Sequence, residues 1–226
     1  MSAFIDFFRL AWDIGPKLLE GTAVTLELTA ICITSGFLVG LALSLGRVYG
    51  NKLVYGLTTT FVEMVRGTPL LVQLFIIYYG LPDVGILLNP LLAAGIALGL
   101  NTSAYQAEYF RGAIQSVSSG QMTAARSIGM SRVGAIKSII LPQALRLAIP
   151  SWSNELIYML KYTSLAFTVG APELMAKAKI IAARNFRYLE VFIIVAFIYI
   201  IIVTAFTKIL DIVEERVKIP GLETGE

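Results

Sequence analysis

Histidine is missing from all 226 residues, and its absence removes a large part of enzyme chemistry. No imidazole general base, no His-ligated zinc or haem and no Ser-His-Asp triad can be assembled. Cysteine occurs once, as Cys32, which excludes an internal disulfide and any multi-cysteine metal cluster. Set in an apolar run, Cys32 is a small hydrophobe first. Charge is scarce as well: Asp, Glu, Lys and Arg make up 15% of the chain, against about 25% in soluble domains.

Apolar residues fill the space instead, at 57% of the chain and a mean hydropathy of +0.77. Too little polar surface remains to cover a compact soluble body, so the chain is expected to be integral to a membrane. The formal charge of +3 and a pI near 9 then reflect basic cytoplasmic loops rather than nucleic-acid binding.

Charge-poor runs place the spans, each of about 20 residues or more at 1.5 Å per residue. Five are expected, at residues 22–48, 53–81, 84–112, 141–172 and 189–210, joined by a loop at about 113–140. The fold class is therefore all-α and polytopic, a single membrane domain over residues 1–226. Ahead of the first span, residues 1–20 mix acids and bases and lack a signal-cleavage site. They fit an interfacial amphipathic helix with Phe4, Phe7, Phe8 and Trp12 on its buried side, and equally a plain lead-in to the first span. Five spans put the termini on opposite sides. With the N-terminus outside, the inner segments carry Arg47, Lys52, Arg111, Arg126, Arg132, Lys137, Arg146, Lys208, Arg216 and Lys218. The outer ones carry Arg9, Lys17, Lys177, Lys179, Arg184 and Arg187. That excess favours a cytoplasmic C-terminus. The outer segment between the last two spans is expected to form a short helix.

Ionisable groups at membrane depth are costly and point to function. Glu63 and Arg66, like Glu108 and Arg111, are spaced i,i+3 and can meet on one helix face. Each pair either neutralises itself while tying helices together or lines a polar path. In the fourth span, Asn154, Tyr158 and Lys161 make a stripe at i, i+4, i+7, with Glu155 and Tyr162 on its edge. Lipid cannot satisfy such a stripe, so it must face protein or water. A zwitterionic substrate could use Glu155 for its ammonium and Lys161 for its carboxylate; a purely structural role fits the same residues. Pro142 and Pro150 would bend this helix or limit its start. Arg66-Gly67-Thr68-Pro69 sits inside the second span, where local unwinding is expected and is tolerated only against protein or a cavity. Gly36-x-x-x-Gly40 and Gly95-x-x-x-Gly99 permit close helix contact.

Between spans three and four, Gly120 is expected to break the preceding helix, residues 121–128 to form a short helix bearing Ala124 and Ala125, and Gly129 to end it. Its small residues suit a partner's close approach. The stretch resembles the EAA loop of importer-type ABC permeases: Ala124, Ala125, Gly129, Ile139, Leu141 and Pro142 match, while Thr123 stands in place of the usual Glu. Further matches point to the polar amino-acid uptake branch. They are Gly21-Thr22-x-x-Thr25-Leu26, Arg66-Gly67-Thr68-Pro69-Leu70-Leu71-Val72-Gln73, Tyr105-x-x-Glu108-x-x-Arg111-Gly112 and Asn154-Glu155-x5-Lys161-x-Thr163-Ser164-Leu165. Tyr162 stands where relatives often carry Asp.

The resemblance, from Gly21 onward, implies a five-span permease of the type I ABC importer fold for polar or charged amino acids in a bacterial or archaeal cell membrane. It implies as partners a second permease copy or homologue, two ATP-binding cassette subunits and an extracytoplasmic solute-binding protein. ATP and Mg would sit on the ATPase subunits, with no cofactor on this chain. That accords with the lack of a Gly-x-x-x-x-Gly-Lys-Ser/Thr loop, so no enzyme activity is expected. The implied coupling residues are Gly120, Thr123, Ala124, Ala125, Arg126 and Gly129. The candidate substrate contacts are Asn154, Glu155, Tyr158, Lys161, Tyr162, Thr68, Gln73 and Glu108. An ion-coupled secondary transporter, with the intramembrane carboxylates as proton relays, is the competing reading, and it would not depend on the 120–129 helix.

Overall fold

The structure, a computed structural model, describes residues 2–217. Lys218, counted above among the inner cations, lies outside the described residues. Helix α1 (Ser2–Tyr49) runs 48 residues, about 72 Å at 1.5 Å per residue. The lead-in and the first span are thus one unbroken helix, and the reading of a separate interfacial helix is set aside. Its N-terminal third buries Leu10, Ile14 and Leu18 against later helices, while Phe4, Phe8 and Trp12 stay exposed.

Helix α2 (Lys52–Arg66) starts at Asn51, whose side chain accepts the Val54 N–H at 2.9 Å, an N-cap worth about 1 kcal/mol. It stops at Gly67. Helix α3 (Leu70–Phe75) follows Pro69 and runs on through a π-helical turn and a 3₁₀ turn to Val84. The two halves are bent by 102°, at the Gly67-Thr68-Pro69 stretch where unwinding is expected from the sequence. Helix α4 (Pro90–Ser116) has Pro90 at its first turn, where a missing N–H costs nothing. It therefore starts some six residues later than the span boundary at 84.

Helix α5 (Ser119–Ser127) and the short α6 (Arg132–Ala135) follow. A π-helical turn carries α6 directly into α7 (Leu141–Tyr162), so Pro142 and Pro150 lie within a longer helical rod. A 3₁₀ stretch, Thr163–Val169, closes it. Helix α8 (Leu174–Asn185) is the short helix expected between the last spans, and α9 (Tyr188–Val217) is the most apolar. Phe4–Tyr49, Arg132–Val169 and Tyr188–Val217 are each long and apolar enough to cross a membrane, and the bent pair counts as a fourth if taken as one span.

Helix α4 fails that test because it is the interior helix. Its buried face carries Asn101, Thr102, Ser103 and Gln106 between alanines. Against lipid, burying a leucine gains little, so small residues and interhelical hydrogen bonds, about 0.6 kcal/mol each, decide packing. Both devices are present. A Cβ added at Gly40 would come within 2.8 Å of the Ser103 carbonyl, so only glycine lets α1 press so closely on α4. Gln106 donates to the Ile33 carbonyl at 3.3 Å and accepts from the Trp152 indole at 3.0 Å, tying α1, α4 and α7 together.

Candidate functional site

The helix break, α4 and α7 enclose a cleft of about 660 Å³ lined by Arg66 to Leu71, Asn101, Tyr105, Tyr109, Glu155, Tyr158, Tyr162 and Leu165. Glu155 is buried at 4% exposure and receives two hydrogen bonds, from the Thr102 hydroxyl at 2.7 Å and the Tyr109 hydroxyl at 3.2 Å. A buried carboxyl without such donors would be costly. Here its partners come from α4 and leave it at the cleft wall. Arg66 lies on the same cleft, its guanidinium 5.5 Å from the centroid of the Tyr105 ring and 3.9 Å from Glu108. One acid and one guanidinium thus border a single space.

Gln73 holds the break in shape. Its amide donates to the carbonyls of Val65 at 2.6 Å and Thr68 at 3.1 Å, groups that the interrupted helix leaves open, and accepts from Asn101 at 3.1 Å. Thr68 reaches back to the Met64 carbonyl at 3.0 Å. Tyr158 and Tyr162 stack with centroids 6.2 Å apart, and the Lys161 ammonium sits 4.7 Å from the centroid of the Tyr158 ring.

Of the substrate contacts expected from the sequence, Thr68, Glu155, Tyr158 and Tyr162 line the cleft. Asn154, Lys161, Gln73 and Glu108 do not. Asn154 and Lys161 are exposed on α7 and Glu155 is turned inward to Thr102 of α4, while Tyr158, on the same stripe as Asn154 and Lys161, still reaches the cleft wall. No hydrogen bond or ion pair joins Glu155 to Lys161 among the described residues; the cation on the cleft is Arg66. The i,i+3 pattern offers Arg66 either as a partner for Glu63 or as part of a polar path, and the second is where the structure places it.

Glu108 centres an ionic cluster that meets the cleft at Arg66. Arg47 of α1 bonds to it, Arg111 meets it at 2.7 Å and Arg66 approaches at 3.9 Å, while Arg47 also reaches Glu63 at 3.3 Å. The expected Glu108–Arg111 pair is present. The expected Glu63–Arg66 pair is not, because Arg47 takes Glu63 and Arg66 turns to Glu108. Only tertiary packing brings Arg47, sixteen positions before Glu63, into this group, so helical spacing had no means of finding it.

The loop before α7 differs in detail from its expected form. Helix α4 ends at Ser116, with Val117 extended, and Gly120 lies inside the first turn of α5. Gly120 therefore does not break the preceding helix; Val117 and Ser118, with ψ near 130°, make the turn. The other end is as expected. Gly129 has φ +87°, its N–H reaches the Arg126 carbonyl at 3.1 Å, and the Met130 N–H reaches that of Ala125 at 3.1 Å, the two bonds of a Schellman cap. Ala125 faces inward, while Thr123, Ala124 and Arg126 are exposed.

Long apolar helices around a polar, acid-bearing cleft, with a short helix projecting between spans, define an all-helical polytopic membrane protein. The chain belongs to the family of binding-protein-dependent transport system inner membrane components, whose model matches residues 36–219. It is 40% identical over 216 residues to the nopaline transport system permease protein of Agrobacterium fabrum, covering 91% of this chain and 90% of that one. It is 36% identical over 210 residues to the glutamine transport system permease protein of Escherichia coli, covering 92% and 96%. Among solved structures, an amino acid ABC transporter crystallised with histidines matches with a TM-score of 0.87 and 38% identity, over 93% of this chain and 98% of that one.

Proposed function

We propose that this chain is the membrane-spanning permease subunit of an ATP-driven ABC importer that carries polar or charged amino acids into the cytoplasm. The observation that carries the reading is the cleft, where a buried carboxyl and a guanidinium of opposite charge border one space beside a broken helix. The names of the relatives support the same substrate class. Glu155 receives the substrate ammonium and Arg66 its carboxylate; Thr68, Tyr158 and Tyr162 supply the walls. Gln73 and Glu108 belong to the scaffold, and Asn154 and Lys161 stand outside the contact set.

The single permease domain has five spans, formed by α1, the α2–α3 pair, α4, α7 and α9, in a bacterial or archaeal cell membrane. The N-terminus is outside and the C-terminus cytoplasmic. Two ATP-binding cassette subunits dock on α5 around Gly120, Thr123, Ala124, Ala125, Arg126 and Gly129, and carry the ATP and Mg. This chain hydrolyses nothing. It pairs with a second permease copy or homologue, and an extracytoplasmic binding protein delivers the amino acid. Nucleotide-driven approach of the ATPases moves α5, and the cleft opens alternately to the two sides.

Reconstitution in vesicles with its ATPase and binding-protein partners tests the reading. Uptake of a labelled amino acid is expected to require ATP and to survive ionophores that collapse ion gradients. Uptake that proceeds without ATP and disappears with the ionophore would establish the ion-coupled alternative.

A further inference from the structure

Outer segments of membrane proteins are usually poor in lysine and arginine, yet α8 and its flanks carry four such residues, and only some are engaged. Lys177 pairs with Glu20 at 3.0 Å, Arg187 pairs with Glu190 at 3.1 Å, and Lys179 lies 5.1 Å from the centroid of the Phe167 ring. Arg184 and, across from it on α1, Lys17 make no ion pair with a carboxylate among the described residues. Both border a cleft of about 590 Å³ between α1 and α8, with Lys177 and Glu20 beside them and Ile14 and Ile180 on its apolar wall. The depth of this cleft is set by packing. Ile14 belongs to the same cluster as Val191 and Ile194, which open the charge-free run of the last span. The cleft therefore sits where the chain enters lipid.

We propose that this cleft binds one anionic phospholipid of the outer leaflet, its phosphate between Lys17 and Arg184 and its acyl region along Ile14 and Ile180. An acidic loop of another protein would satisfy the cations but leave Ile180, 51% exposed, against a polar partner. The lipid meets both halves of the cleft, and it would brace α8 against α1. The proposal rests on the outer placement of α8 given above. Binding in detergent does not depend on sidedness, so the two are tested separately.

The complete chain, with whatever subunits co-purify, is stripped of lipid in detergent and titrated by native mass spectrometry. The probes are dioleoylphosphatidylglycerol and dioleoylphosphatidylcholine. One phosphatidylglycerol per chain is expected to bind in a tight class. A cation near an anionic headgroup is worth about fivefold in affinity, so Lys17→Gln with Arg184→Gln should weaken that class by about 25-fold. Lys52→Gln with Lys208→Gln, an equal change of charge elsewhere, should leave it intact. Equal phosphatidylglycerol affinity in all three proteins overturns the proposal. So does competition by glycerol 3-phosphate at the potency of the lipid, or unchanged lipid binding together with lost capture of the binding protein. Sidedness is read from Asn185→Cys in cells, since the native Cys32 is buried. Labelling by an impermeant maleimide from outside is expected, and labelling only from inside overturns the outer-leaflet assignment whatever the lipid result.

Discussion

Glu155 shows how a single side chain can be visible in the sequence while its role is not. Its position in an apolar span marked it as costly and hence functional, but the spacing rule offered Lys161 as its counterpart. The structure instead surrounds the carboxyl with Thr102 and Tyr109 of α4 and puts Arg66 on the same cleft. Helical periodicity relates residues on one helix and is silent about which neighbour will face them. Replacing a charged hydrogen-bond partner costs about 1.5–3 kcal/mol, so Glu155→Gln should reduce substrate affinity about 10- to 100-fold without loss of assembly. Uptake kinetics beside size-exclusion profiles check this, and normal uptake removes Glu155 from the site. Lys161→Gln should change uptake far less; an equal loss would return Lys161 to the contact set. Arg47 makes a different case. Its side chain is 8% exposed and is held by Glu108 and Glu63. Arg47→Ala strands part of a buried ionic cluster, a change that costs about 3 kcal/mol. Thermal unfolding in detergent should show a clear drop in midpoint, and an unchanged midpoint contradicts the cluster's structural role.

Whole elements were easier to read than their boundaries. The start of α4 at Pro90 falls six residues after the expected boundary at 84, whereas the break at Gly67-Thr68-Pro69 and the end of α5 at Gly129 follow from local backbone chemistry, and both were legible. The start of α5 was not, because Gly120 suits a turn but is not forced into one. The fusion of residues 2–20 with the first span was left open by composition and is settled by the unbroken α1 and its packing on α8 and α9. Gly129→Ala forces a side chain into the left-handed region at about 1–2 kcal/mol. Hydrogen exchange in residues 119–130 should speed up, and recovery of ATPase subunits should fall. Full recovery with unchanged exchange argues against α5 as the docking element.

Helix α8 gives the early Gly21-Thr22-x-x-Thr25 motif a physical meaning. A Cβ at Gly21 would come within 2.8 Å of the Leu174 Cα, and the Thr25 hydroxyl accepts the Leu174 N–H at 3.2 Å. The motif is the seat of α8. Glu173 caps that helix through the N–H groups of Met175 at 2.8 Å and Ala176 at 2.7 Å. Burial pushes its carboxyl up from 4.5 to about 7, against the pull of those bonds and of Thr25. A raised carboxyl pKa favours the protonated form in the fold. The seat is thus fully stable below about pH 4.5 and weakens as pH rises through 7. With the intrinsic base-catalysed rise of exchange with pH divided out, protection of the α8 amides should fall over that window in the native chain and stay flat in Glu173→Gln. A window that persists in the variant assigns the titration elsewhere.

At the scale of the whole molecule, two polar regions are separated by function. The cleft between the helix break and α7 is the site proposed for a small zwitterion, whereas the Arg47–Glu63–Glu108–Arg111 group binds α1, α2 and α4 to one another. Composition and hydropathy identified a polytopic helical protein, and the motifs identified its family, because both signals are local and additive along the chain. Which charges face the cleft and which are consumed by packing depended on α4. That helix hides its polar residues in the interior and is not apolar enough over its length to read as a membrane crossing. The central claim is that this chain moves its substrate only as part of an ATP-driven assembly. Affinity purification of the tagged chain from its native membranes, followed by mass spectrometry, tests that most directly. The account predicts an ATP-binding cassette subunit in the eluate. The chain recovered without one, in a gentle detergent and still active in transport, would contradict it.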